Sequence, residues 1–150
     1  MHRYVVLVLF LLLVVGGGSG IGLMTAPGPW FETLAKPSFQ PPNWLFGPVW
    51  TTLYVLIAVA GWRTFERDRS GPAMKIWWAQ LVLNFAWSPI FFSLHSPGAA
   101  LIVILLMLVT IILFVVNRWS RDTVTAILFL PYLAWVSFAT LLNAAIVWLN

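Results

Sequence analysis

The side chains that ordinarily carry catalysis are scarce in this chain and poorly placed for it. Cysteine is absent, and there are two histidines and four acidic residues among 150. His2 lies at the extreme N-terminus and His95 in a loop, neither beside an acidic partner, so a metal centre or a hydrolytic triad lacks its parts. Without cysteine there are also no disulfides, and the redox compartment stays open. No Asp, Glu, Lys, Arg or His lies deep inside an apolar run, which disfavours the proton relays and ion-coupled pumps that depend on such groups. What is abundant is aromatic, including ten tryptophans. Tryptophan is a poor acid or base, but it offers a large flat face to a planar apolar ligand and takes part in one-electron chemistry.

Spacing places some of these rings on shared faces. Gln80, Asn84, Trp87 and Phe91 recur at intervals of four, three and four, so a helix puts them on one side. Trp135, Ala139, Leu142 and Asn143 form a second such face, and Trp50, Tyr54 and Ile57 a third. Trp30, Trp44, Trp62, Trp77, Trp78, Trp119 and Trp148 fall near the ends of apolar runs, where an interfacial belt is the expectation. Gln80, Asn84 and Asn143 must find partners away from lipid. Either they join helices as hydrogen-bonding glue, or they line a pocket with the tryptophans; the residues alone do not choose.

The elements that position these faces are membrane helices. With 61% hydrophobic and 8% charged residues, the composition is far more apolar than that of a soluble domain. Five runs are long enough to span: about Tyr4 to Met24, Trp44 to Trp62, Ile76 to Phe92, Ala99 to Val116 and Val124 to Leu149, the third only just. They lack the alternation of a membrane barrel, so the expected fold class is an all-α, five-transmembrane-helix bundle forming a single domain over residues 1–150. The one long connection, Thr25 to Asn43, is rich in proline. Arg3 ahead of an apolar run, with small residues at Gly16 to Gly20, also fits a signal peptide; the run resumes at Ile21 to Met24, which favours a retained helix. Gly16 and Gly20, like Gly18 and Gly22, are four apart, a spacing that either admits a neighbouring helix or loosens the helix end.

The formal charge of +4 comes from eight Lys and Arg residues at the ends of apolar runs rather than in one patch, so it speaks for topology and not for nucleic acid. Five spans put Arg3, Arg63, Arg67, Arg69, Lys75, Arg118 and Arg121 on one side and only Lys36 on the other. That asymmetry predicts a cytoplasmic N-terminus and a C-terminus on the opposite face, in a membrane the sequence does not specify.

Three ordered blocks resemble the TspO/translocator protein family, also called the peripheral benzodiazepine receptor or tryptophan-rich sensory family. The first runs from Trp30-Phe31 through Leu34-Ala35-Lys36-Pro37 and Pro41-Pro42-Asn43-Trp44 to Pro48-Val49-Trp50-Thr51-Thr52-Leu53-Tyr54. The second is Gln80 to Phe92, and the third Pro131-Tyr132-Leu133-Ala134-Trp135, with Phe138-Ala139 and Leu142-Asn143. The resemblance implies a five-helix bundle, expected to be a homodimer, that needs no cofactor and binds tetrapyrroles such as protoporphyrin and haem as ligands. The implied ligand-binding positions are Gly20, Leu23, Trp50, Tyr54, Asn84, Trp87, Trp135, Ala139 and Leu142. Some bacterial members are associated with light-dependent protoporphyrin breakdown, for which Trp50 and Trp135 are the implied catalytic candidates. A receptor, sensor or carrier is the leading expectation, the degrading enzyme the alternative, and a ligand-free scaffold the third. A sterol partner is put in doubt, because Ala144 follows Asn143 where animal members continue into their cholesterol motif. Small residues around Ala99 replace a tryptophan of animal members, and Phe39 stands where many members carry tryptophan.

Overall fold

The computed structural model describes residues 2–150, all of whose regular structure is helical. Five rods run up and down: α1 (His2–Met24), α2 (Asn43–Asp68), α3 (residues 72–93), α4 (Pro97–Trp119) and α5 (Thr123–Leu149). Helix is the form such a chain must take in lipid, because it alone satisfies an unpaired segment's backbone from within. Among these, α1, α2, α4 and α5 are each long and apolar enough to cross a membrane. α3 reaches that length only when a π turn, Pro89–Ser93, is added to the α-helical Pro72–Ser88.

The ends carry their own signals. Pro72 and Pro97 open α3 and α4, where a missing N–H costs nothing. Ser96 and Asp122 cap α4 and α5, each accepting from a backbone N–H three residues on. Arg67 and Arg118 sit in the last turns of α2 and α4, near the negative end of the helix dipole.

At the end that gathers the N-terminus and the α2–α3 and α4–α5 loops, the bundle is closed and polar. Trp62 donates its indole N–H to the Arg3 carbonyl at 2.7 Å, and Arg63 pairs with Asp122 at 2.9 Å, with Arg67 3.4 Å away. Burial alone would raise the Asp122 carboxyl. Hydrogen bonds from Thr125 and Arg63 and the charges of Arg63 and Arg67 outweigh it, so the group ionises below its ordinary range.

Just inside this end lies the tightest packing. Trp77 is fully buried, donates to the Ile57 carbonyl at 3.0 Å, and packs against Gly61, where any added Cβ would collide with the indole. Phe10 meets Trp77 edge-on at 5.2 Å. Trp77 is therefore a core residue and not a member of the interfacial belt expected from its place near the start of the third apolar run. Trp44, Trp78, Trp119 and Trp148 are exposed as a belt requires.

Toward the other end the rods part around α2. A π turn at Leu12–Gly16 redirects α1: its first half packs on α2, whereas Gly17–Met24 turns to α3. α5 behaves likewise. Its first turns, Thr123–Leu128, pack on both α2 and α4; Pro131 then interrupts the backbone ladder, and Leu130–Leu149 packs chiefly on α4 with little of α2 beside it. Two helix irregularities thus thin the packing around the upper half of α2, which keeps the Gly18–Tyr54 contact to α1 and the Phe46–Trp135 contact to α5.

Candidate functional site: an aromatic cavity under the first loop

The space opened around upper α2 is a cavity of about 640 Å³, within the range of small-molecule sites. Its walls are aromatic: Trp50 and Tyr54 from α2, Trp87 and Phe91 from α3, Trp135 from α5, and Phe31 from the loop. Ile104 and Met107 of α4 complete the floor. Among the described residues no charged side chain lines it, and no three His, Cys, Asp or Glu residues gather anywhere into a metal-binding group.

Each wall follows from local structure. Trp50 and Tyr54 stand one turn apart on α2 with ring centroids 5.5 Å apart, and Gly18 of α1 packs onto the Tyr54 ring so closely that a Cβ there would lie 2.5 Å from it. Gly17 similarly meets Phe85 of α3. The close approach permitted by the glycine run is thus made by Gly17 and Gly18 to aromatic rings; Gly16, Gly20 and Gly22 have no atom within 4 Å of a built Cβ. Thr25, at the end of α1, is tied to Ser88 of α3 by a hydroxyl–hydroxyl bond of 2.5 Å.

The polar residues serve both roles that the sequence left open. Asn84 donates to the Tyr132 hydroxyl at 2.8 Å, and that hydroxyl donates to Gln80 Oε1 at 2.7 Å. Asn143 accepts from the Trp87 indole at 3.0 Å and donates to the Pro97 carbonyl at 2.9 Å, joining α3, α4 and α5. These are interhelical bonds, and yet Asn84 and Asn143 also border the cavity. Tyr132, the hub of the first network, was visible in the Pro131-Tyr132 motif but carried no sign in sequence of the partners it joins.

Trp50, Tyr54, Asn84, Trp87, Trp135, Ala139 and Leu142 all line the one cavity. Leu23 borders it only at the mouth and is 83% exposed. Gly20 does not line it; Gly18 and Gly22, one turn apart, face the cavity from α1, and Gly20 lies on the opposite side of that helix. Sequence reasoning missed the loop contribution of Phe31, Gln40 and Asn43 and the floor residues Ile104 and Met107. Two polar atoms of the wall residues are buried without a partner: the Trp135 Nε1 donor and the Gln40 Oε1 acceptor.

The Thr25–Asn43 loop roofs the cavity and is pinned at several points. Trp30 stacks on His95 at 4.4 Å with planes 6° apart, and Phe31 packs edge-on to Phe92 at 5.4 Å. Ala35 and Asn150 exchange two hydrogen bonds, at 3.1 and 2.9 Å. Lys36 lies over the Phe31 ring, its Nζ 4.6 Å from the centroid.

Fold and site define a polytopic helical membrane protein with an aromatic internal cavity beneath a long loop. The chain belongs to the TspO/MBR family, whose model matches residues 8–149. It is 38% identical to the tryptophan-rich protein TspO of Archaeoglobus fulgidus, covering 96% of each chain. It is 35% identical to protein CrtK of Rhodobacter capsulatus over 86% of this chain and 83% of that one. To the human translocator protein it is 35% identical over 76% of this chain and 70% of the relative.

Proposed function

We propose that the protein is a membrane-embedded binder of tetrapyrroles such as protoporphyrin and haem, acting as a receptor, sensor or carrier. The observation that carries this reading is the uncharged cavity walled by Trp50, Tyr54, Trp87 and Trp135. A planar macrocycle buries its faces against such walls, while its acidic side chains, for which the cavity holds no cation, stay toward the loop end near Lys36.

Absorbance titration with protoporphyrin in detergent, in the dark and under illumination, tests the proposal. Stable, saturable binding is the expected result. Trp135→Ala removes one aromatic wall and should weaken affinity by about 1–3 kcal/mol, or roughly 5- to 150-fold. Absence of binding to the unaltered protein would leave only a packing scaffold. Bleaching with a new product in light would move the reading to a porphyrin-degrading enzyme that uses Trp50 and Trp135.

A further inference from the structure

Three borders of the cavity face the outside, and they are closed to different degrees. The roof is held by the Trp30–His95 stack, the Phe31–Phe92 contact and the Ala35–Asn150 hydrogen bonds. The α2–α5 flank is shut by Trp135, whose ring borders both the internal cavity and a shallow outer groove between Pro48, Leu53, Pro131 and Phe138. The α1–α2 flank is different. Beyond the Gly18–Tyr54 contact, Gly17–Met24 leaves α2 for α3 and is fastened there by Thr25 to Ser88. The residues facing each other across the resulting gap, Gly22 and Leu23 on α1 and Gly47 and Thr51 on α2, are cavity-lining and exposed at once. A Cβ built at Gly22 or Gly47 meets nothing within 4 Å. The Thr51 hydroxyl is spent on the Gly47 carbonyl at 2.9 Å, which leaves the rim apolar.

We infer that this slot between α1 and α2 is the ligand entrance, and that it opens sideways into the hydrocarbon of the leaflet nearer the C-terminus. It admits flat amphipathic molecules already dissolved in the bilayer, without passage through the loop. The inference rests on the proposed binding function for its natural cargo, whereas the slot itself is a property of the bundle. An apolar rim in contact with lipid sets no desolvation barrier for such a ligand, and a π turn in α1 supplies the local looseness for the rim to widen.

Stopped-flow quenching of tryptophan fluorescence by protoporphyrin, with the full chain in phospholipid nanodiscs, tests the route. Gly47→Leu and Gly22→Leu each add a side chain to the open slot at a position where the Cβ meets nothing within 4 Å. A blocked entrance slows arrival and departure alike, so both rate constants should fall, by roughly tenfold. Trp30→Ala, which loosens the roof, should leave both rates in place. Unchanged rates in both glycine variants, or acceleration by Trp30→Ala alone, would overturn the slot in favour of entry through the roof. Because the chain has no cysteine, a nitroxide on Gly47→Cys gives a readout that needs no porphyrin. Greater relaxation by oxygen than by a water-soluble nickel chelate supports a lipid-facing slot even if protoporphyrin itself does not bind, and the reverse order refutes it.

Discussion

Trp77 and Trp135 are the same residue used in opposite ways at opposite ends of one bundle. Trp77 is fully buried, its N–H satisfied by Ile57, its ring pressed on Gly61 and Phe10. Trp135 is half-buried, its N–H unpaired, its ring a partition between a cavity and an outer groove. The difference does not lie in the tryptophans. It lies in how closely the helices around them pack: α1 and α2 are in close contact where Trp77 sits, whereas at the level of Trp135 α1 has turned to α3 and α5 touches α2 through side chains such as Trp135 on Phe46. A bundle without a hydrophobic driving force between its helices holds by close packing, so stability concentrates in the closed end and binding capacity in the open one.

Trp77→Ala should break this contrast most severely. Emptying a packed site of a whole indole costs about 3–5 kcal/mol, to be read as a fall in the midpoint of thermal or denaturant unfolding in detergent. Trp135→Ala, measured the same way, should change stability far less than it changes porphyrin affinity. Equal destabilisation by the two variants would mean that the open end is also structural core.

Tyr132→Phe probes the boundary between the two ends, because it removes the hydroxyl shared by Asn84 and Gln80. Leaving those amides unpaired should cost about 1–2 kcal/mol of stability, seen as a lower unfolding midpoint. Acid should act on the closed end. Asp122 has its folded pKa depressed, so its contribution is present above the ordinary aspartate value of 3.8 and is lost as pH falls through the lower folded value. The unfolding midpoint of the unaltered protein should therefore drop in that acid window, and Asp122→Asn should flatten the drop. Lys36→Ala is expected to have the smallest effect, at most about 1 kcal/mol in porphyrin affinity and diminishing with salt. Abolished binding in this variant at physiological salt would shift recognition from the aromatic walls to the loop.

Near-uniform apolar runs and the lack of internal charge left no stable alternative to spanning helices, since an unpaired backbone in lipid has nowhere else to bond. The periodicity of Asn84–Trp87 and Trp135–Leu142 likewise put the right residues on common faces, because residues three and four apart share a side of any helix. Periodicity does not say which faces meet or how closely. Trp77 lay near the start of an apolar run and read as interfacial, yet Gly61 opposite it admits the indole to the core. Gly20 read as a wall, yet the face of α1 that meets the cavity carries Gly18 and Gly22. The loop residues Phe31 and Gln40 carried no period at all and reached the cavity through the Trp30–His95 and Ala35–Asn150 contacts, which join positions far apart in the chain. The helices and their faces are local consequences of composition and 3.6-residue geometry. The cavity exists only because α1 and α5 diverge from α2, and that divergence is a balance of packing among several helices that no single segment encodes.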